Sequence, residues 1–65
     1  MNYAVGDRIE LVHMDDDPDP ILPGATGTVW NISQIGERTC VDVDWDNGRS
    51  LSVILPFDRI RKVPA

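Results

Sequence analysis

The 65-residue chain has too few cysteine and histidine residues to be cross-linked by disulfides or zinc. Its one cysteine, Cys40, excludes an internal disulfide, and its one histidine, His13, excludes a zinc site made of cysteine and histidine ligands. A domain this short buries only about 60% of the surface of its unfolded chain and usually needs additional stabilisation. Packing and self-association remain, so we expect a homo-oligomer, with a dimer as the commonest symmetry.

Basic residues and long apolar runs are also scarce. Six basic residues stand against eleven acidic ones, which gives a net charge of −5. This balance argues against direct DNA or RNA binding, because nucleic-acid-binding surfaces are normally basic. No apolar run approaches the roughly 20 residues of a membrane span, and Met1 to Tyr3 lack the features of a signal peptide. We therefore expect a cytoplasmic protein without a membrane association.

Short apolar segments separated by turn residues predict one all-β domain over residues 1–65, a barrel or a sandwich. Segment 14–20 contains two prolines and four aspartates, so it is expected to form a long acidic loop between the first two strands. The predicted strands are Val5–Val12, Thr26–Ile32, Thr39–Trp45, Arg49–Leu55 and Ile60–Val63.

The hairpin around 46–48 has a register that side-chain parity can decide. A two-residue Asn-Gly turn would set Asp44 opposite Leu51 and so mix a charge with an apolar residue. A loop of three residues instead sets Val43 opposite Leu51. We therefore predict the three-residue loop, with Gly48 at positive φ in a β-bulge.

Three ordered motifs resemble a known family. They are VGDRIELV at 5–12, PGATGTV at 23–29 and VDWDNGRSL at 43–51, and DRIR at 58–61 fits the same pattern. With these motifs the chain is similar to short SH3-like barrels catalogued as a domain of unknown function and found in bacteria, phages and mobile elements. The resemblance implies a small five-strand SH3-like β-barrel and no assigned activity. Residues 24–29 are also weakly similar to the KOW motif of ribosomal and transcription-factor barrels.

Two acidic segments are candidate cation sites. Asp42, Asp44 and Asp46 begin like a calcium loop, but Asn47 stands where that loop needs glycine and Val53 where it needs glutamate. We therefore predict no metal and no cofactor. The long loop carries the densest charge, and it either keeps a small domain soluble or offers a negative surface to a partner, with a hard cation as the remaining alternative. Its candidate partner-binding residues are Asp15, Asp16, Asp17 and Asp19.

Apolar side chains supply further candidates. Trp45 shares the apolar parity of its strand and is predicted to lie in the core. Trp30 is exposed if Val29 is buried, unless a bend intervenes, so it is either a core residue or an interface anchor and stacking platform. In the predicted register Cys40 pairs with Ile54, and this apolar spot is either scattered surface or part of a subunit interface.

A basic end closes the chain at Arg59, Arg61 and Lys62. These side chains either balance the acidic loop or bind a small phosphorylated ligand together with Trp30 across an oligomer interface.

Catalysis is not expected, because Cys40 and His13 lie on different strands without a third group to orient them. We expect a non-enzymatic binding module, encoded by a phage or mobile element, that engages a host molecule. A host protein is favoured, with the module acting as an inhibitor or adaptor. The alternatives are an oligomeric sponge that sequesters a small nucleotide-like signal, and a nucleic-acid accessory of the KOW type.

Overall fold

Within the part of the chain that the structure describes, alternating apolar residues form five antiparallel strands in one sheet. The structure is a computed structural model that describes residues 3–14 and 21–64. Across the sheet the strands follow the order β4-β3-β2-β1-β5, so β4 and β5 are both edge strands and the sheet is not closed. The predicted all-β, five-strand, barrel-like fold is confirmed. The strands are β1 (Arg8–His13), β2 (Thr26–Ile35), β3 (Arg38–Trp45), β4 (Ser50–Leu55) and β5 (Arg59–Lys62).

The core is made by inward-facing side chains of all five strands together with Ile21, which lies before β2. Burying each large apolar side chain contributes about 1.5–3 kcal/mol, so these residues supply most of the stabilisation. Trp45 is among them, and its burial confirms the prediction that it lies in the core. Its Nε1 donates a hydrogen bond to the carbonyl oxygen of Leu51 at 2.9 Å. The buried apolar residues are Ile9, Leu11, Ile21, Val29, Val41, Val43, Trp45, Val53 and Ile60.

The β3–β4 hairpin has the register that side-chain parity predicts. Val43 lies opposite Leu51, and Gly48 has a φ of 90°. The backbone N–H of Gly48 donates to the carbonyl of Trp45, and the N–H of Trp45 donates to the carbonyl of Arg49. These two bonds enclose a loop of three residues, so the hairpin prediction is confirmed.

Two strand boundaries differ from the sequence prediction by three residues, and five others differ by one residue. β1 begins at Arg8 rather than at Val5, because the N–H of Asp7 bonds to the carbonyl of Ala4 and closes a turn around Val5. β2 continues to Ile35, since a tight turn at Gly36, with a φ of 61°, lets the preceding residues pair with β3. The predicted strands left six residues between β2 and β3, whereas only Gly36 and Glu37 separate the two strands in the structure.

A β-bulge interrupts β2 at Trp30. Val29 lies opposite Val43 and Asn31 lies opposite Asp42, so Trp30 has no partner on β3. Because one extra residue reverses the alternation, Ile32 turns inward and packs against the core. Residues 3–14 and 21–64 contain no helix of the length and apolarity that crossing a membrane requires.

Candidate functional site

The β-bulge places Trp30 on the side of the sheet that faces away from the core. In the bulge Trp30 and Asn31 follow each other without an inward-facing residue between them, and both are exposed. Trp30 is 57% exposed, whereas Trp45 is 2% exposed. Of the two possibilities for Trp30, the structure shows the exposed one. We use "outer face" for the surface made by Trp30, Asn31, Asp42, Asp44 and Ser52.

Asp42 is the most highly hydrogen-bonded group of the outer face. The hydroxyl of Ser52 donates to Asp42 Oδ1, and Asn31 Nδ2 donates to Asp42 Oδ2 at 2.9 Å. These hydrogen bonds, first that of Ser52 and then that of Asn31, lower the pKa of Asp42. A fixed carboxylate therefore lies in the strand row next to Trp30, and Asp44 follows it on β3 with an exposed side chain.

Cys40 and Ile54 face each other across β3 and β4 in the predicted register. Both are half-buried, so this pair exposes less apolar surface than two fully exposed side chains would. The Sγ of Cys40 lies 3.6 Å from Asp42 Oδ1, to which it donates. Burial is the main cause that raises the pKa of the Cys40 thiol. The thiolate is the nucleophilic form of cysteine, so a raised pKa disfavours a nucleophilic role for Cys40.

Arg8 is engaged by the hairpin loop. Its Nη2 lies 2.5 Å from Asp46 Oδ2 and its Nη1 lies 2.7 Å from Asp46 Oδ1, a bidentate ion pair. The hydroxyl of Thr26 also donates to Asp46 at 2.6 Å. The bonds from Arg8 and then Thr26 hold the pKa of Asp46 well below its usual range. Because this pair neutralises itself, the carboxylates of Asp42 and Asp44 set the charge beside Trp30.

The basic end is paired with acidic residues at the start of the chain, not gathered around Trp30. Arg61 Nη2 lies 2.8 Å from Glu10 Oε1, and Lys62 Nζ lies 3.4 Å from Asp7 Oδ2, while Arg59 is exposed. Arg61, Glu10 and Thr26 share one row across the sheet. Trp30 is two strand spacings and four residues from Arg61, which corresponds to about 16 Å between their backbones.

The predicted loop residues Asp15, Asp16, Asp17 and Asp19 lie outside the described residues. They account for four of the eleven acidic residues, so the rest of the chain has seven acidic and six basic residues. Within 3–14 and 21–64 no group of three or more His, Cys, Asp or Glu side chains is placed to hold a metal ion.

Several exposed apolar side chains were not found from the sequence. Val12 sits in a second bulge, where the register between β1 and β5 shifts between Leu11 and His13. Phe57 lies under the guanidinium of Arg38, whose Cζ is 4.8 Å from the ring centre. The turn position after Pro56 was a signal that Phe57 would be exposed, but nothing in the sequence marks the bulge at Val12. The exposed set besides Trp30 is Val5, Val12, Leu22, Ile35 and Phe57.

Comparison with known proteins supports the resemblance seen in the three motifs. A family model described as a domain of unknown function (DUF4314) matches residues 1–63. Comparisons with curated proteins and with solved structures gave no match. The matched region contains all five strands, the Trp30 bulge and the basic end. Because the match covers nearly the whole chain, this protein belongs to the family of domains of unknown function described as DUF4314.

Proposed function

We propose that the chain is a non-enzymatic binding module that engages a protein partner through the outer face of its sheet. The observation that carries this proposal is the exposure of Trp30 in the β2 bulge. Tryptophan is among the residue types most enriched at the energetic centres of interfaces, and bulges often aim a side chain at a functional position. A large apolar ring that a β-bulge holds in water is therefore best explained as a binding anchor.

The charge around Trp30 favours a basic segment as the partner. Asp42 is held as a carboxylate by its hydrogen bonds, and Asp44 is exposed two residues further along β3. Arg8 adds little positive charge, because Asp46 neutralises it. A lysine or arginine of the partner would stack on the ring of Trp30 and pair with these carboxylates. The partner chemistry that fits is a protein surface with exposed basic side chains.

The state of Cys40 supports a binding role over a catalytic one. Its thiol is half-buried, donates to Asp42 and has a raised pKa, all of which oppose thiolate formation. A nucleophile also needs a base within hydrogen-bonding reach, and the hydrogen bonds from Ser52 and Asn31 lower the pKa of Asp42, which makes its carboxylate a weaker base.

The biological setting is a further part of the proposal. The family resemblance supports a phage or mobile-element origin, with the module acting in the host cytoplasm as an inhibitor, such as an anti-defence factor, or as an adaptor.

Self-association as a homodimer belongs to the same proposal, because Trp30 and the Cys40–Ile54 pair offer apolar surface to a second copy. A charge introduced by Trp30→Glu or Ile54→Glu should dissociate the oligomer and leave the barrel folded, as light scattering and circular dichroism would show.

The ligand-sponge alternative has less support. Trp30 is about 16 Å from Arg61 by strand geometry, and Arg61 and Lys62 are paired with Glu10 and Asp7. A small nucleotide-like ligand would therefore need basic groups from a second copy. The KOW-type alternative needs a basic surface, whereas Asp42 and Asp44 make the outer face acidic.

Affinity capture from a host lysate tests the proposal. The bait proteins are the wild type, Trp30→Ala and the matched control Leu22→Ala, which truncates another side chain with high exposure. We expect a discrete protein on the wild type and on Leu22→Ala, with a loss of at least about 10-fold on Trp30→Ala. Asp44→Asn should capture less partner than the wild type, because it removes a charge that attracts basic partners. This difference should be larger at low salt, where charges are less screened.

Equal capture by Trp30→Ala would contradict the role of the outer face. Native mass spectrometry of the captured material distinguishes the alternative, since a bound small molecule without a protein would favour the sponge.

A further inference from the structure

The two edge strands differ in their protection against pairing with another chain. β5 has the sequence RIRK, with three positive charges, and the hydroxyl of Tyr3 donates to the edge carbonyl of Ile60 at 2.9 Å. β4, Ser50–Leu55, has the sequence SLSVIL, with no charge and no proline, and its pairing with β3 is uninterrupted. Charges, prolines and bulges are the usual means of protecting an edge, so among residues 3–14 and 21–64 β4 is the edge that remains open to pairing.

The open part of β4 is limited to two residues. At the C-terminal end of the strand, Ile54 N–H donates to Asp58 Oδ2 at 2.9 Å and Ile54 C=O accepts from Asp58 N–H at 2.8 Å. These backbone groups of Ile54 therefore point away from β3. Backbone groups alternate along an antiparallel strand, so those of Ser52 and Ser50 also point away from β3. No described residue forms a hydrogen bond with the backbone groups of these two serines on that side.

We propose that a second copy of this chain adds to β4 at Ser50–Ser52, antiparallel and around a two-fold axis at Leu51. Ser50 of one copy lies opposite Ser52 of the other, and the two Leu51 residues face each other. This register uses all the open backbone groups and forms one continuous sheet across the dimer. The inference rests on the self-association included in the proposed function, but it places the contact at the β4 edge instead of at Trp30 and the Cys40–Ile54 pair. Trp30→Glu should therefore leave an edge dimer intact, whereas it should dissociate a dimer that forms through Trp30.

The shape of the chain on both sides of this segment fits a second copy. In the proposed register Ile54 would lie opposite Gly48 of the second copy, where that chain has already turned away in the hairpin loop. The second copy therefore leaves the edge before it reaches Asp58, which occupies the edge of Ile54. The strand is also self-complementary, because uncharged serines meet serines and the half-buried Leu51 meets its own equivalent.

The response to salt separates a second copy from a basic segment of another protein on the same edge. Each copy has a net charge of −5, so two copies repel each other and added salt should strengthen their association. A basic segment would be attracted by the same charge, and added salt should weaken its binding.

Light scattering from micromolar to millimolar protein tests the proposal with a matched pair of variants. Ser52→Pro removes an edge N–H that β3 does not use, so the fold should tolerate it, whereas Ser52→Ala loses the same hydroxyl but keeps the N–H. We expect the wild type and Ser52→Ala to rise from 7.3 kDa to twice that mass. Ser52→Pro should remain at the monomer mass.

The register has its own test in a Cys40→Ser background. Leu51→Cys should form a disulfide-linked dimer on mild oxidation, because residues that face each other in a non-hydrogen-bonded pair are about 4.5 Å apart at Cα. Leu55→Cys, on the same side of the same strand, should not cross-link. Cross-linking of both variants to the same extent would overturn the register.

Two results overturn the edge proposal in different ways. A wild-type chain that stays monomeric at millimolar concentration refutes both the edge and the self-association. A dimer that persists in Ser52→Pro refutes the edge alone. Should Ser52→Pro fail to fold, hydrogen exchange of the wild type decides: the amides of Ser50 and Ser52 must become protected as the mass doubles, and unchanged exchange there refutes the proposal.

Discussion

Replacing Gly27 by alanine should destabilise the sheet through steric conflict alone. A Cβ at this position would lie 2.7 Å from Val43 Cγ1, 2.8 Å from the Asp44 carbonyl oxygen and 3.0 Å from Trp45 Cα. The side-chain methyl can rotate away, but the two backbone atoms move only if β3 moves. Ile9 of β1 pairs with Gly27 on its other side, so β2 has little freedom to shift.

The size of the effect follows from two opposing contributions. Overpacking of this kind costs about 1–3 kcal/mol. Alanine gains at most about 1 kcal/mol, because it restricts the unfolded chain more than glycine does. The expected net loss is about 1–2 kcal/mol, and for a domain of this size each kcal/mol lowers the melting temperature by about 4–8 °C.

Thermal and urea denaturation followed by circular dichroism would measure this loss. The single variant Val43→Ala and the double variant Gly27→Ala/Val43→Ala serve as controls, because they lack the methyl and keep the two backbone atoms. Val43 is fully buried, so Val43→Ala is destabilising by itself. We expect Gly27→Ala to cost as much stability in the Val43→Ala background as in the wild type. If the single variant Gly27→Ala melts within about 1 °C of the wild type, β2 and β3 are not in close contact at Gly27 and the steric argument is wrong.

Three further predictions concern the hairpin, the ion pair and metal ions. Gly48→Ala should cost about 1 kcal/mol, because its φ of 90° is unfavourable for alanine, and Gly48→Asn should cost less; equal losses in the two melting curves would contradict this. The pKa of Asp46 is lower in the folded chain than the value of about 3.9 in an unfolded one, so its stabilisation is present above about pH 4 and is lost as the pH falls. Asp46→Asn should therefore flatten the acid side of a plot of melting temperature against pH, and an unchanged slope would refute the role of the ion pair. Millimolar calcium or magnesium should leave the melting temperature unchanged at matched ionic strength, because Asp42 and Asp46 are already bonded within the chain; a rise of several degrees would contradict that.

The sequence predicted the β3–β4 register because each alternative placed a charge among apolar residues. Such a conflict is local to one hairpin, so parity alone could exclude the wrong loop. The bulge at Trp30 could not be predicted in this way, since a single unpaired residue has no sequence signal in TVWNI. The sequence therefore predicts only part of what the bulge does. It predicts that Trp30 is exposed if Val29 is buried, but it does not predict that Ile32 turns inward.

The pairing of the basic end was also beyond the sequence. Arg61 contacts Glu10 because β5, at the other end of the chain, pairs with β1. The pairing of these two strands also contains a shift between Leu11 and His13. Long-range pairing of this kind depends on the whole sheet and not on any local pattern. The turn chemistry at Gly36 was visible in the sequence, but how far β2 would continue toward it was not.

The most direct test of the central claim is photo-cross-linking from the position of Trp30 in host cells. A photoreactive phenylalanine analogue replaces Trp30 in one variant and Leu22 in the control, two exposed apolar positions of which only the first belongs to the outer face. We predict a discrete adduct with a partner protein from position 30 and none from position 22. Absence of any adduct from position 30, or the same adduct from both positions, would contradict the account.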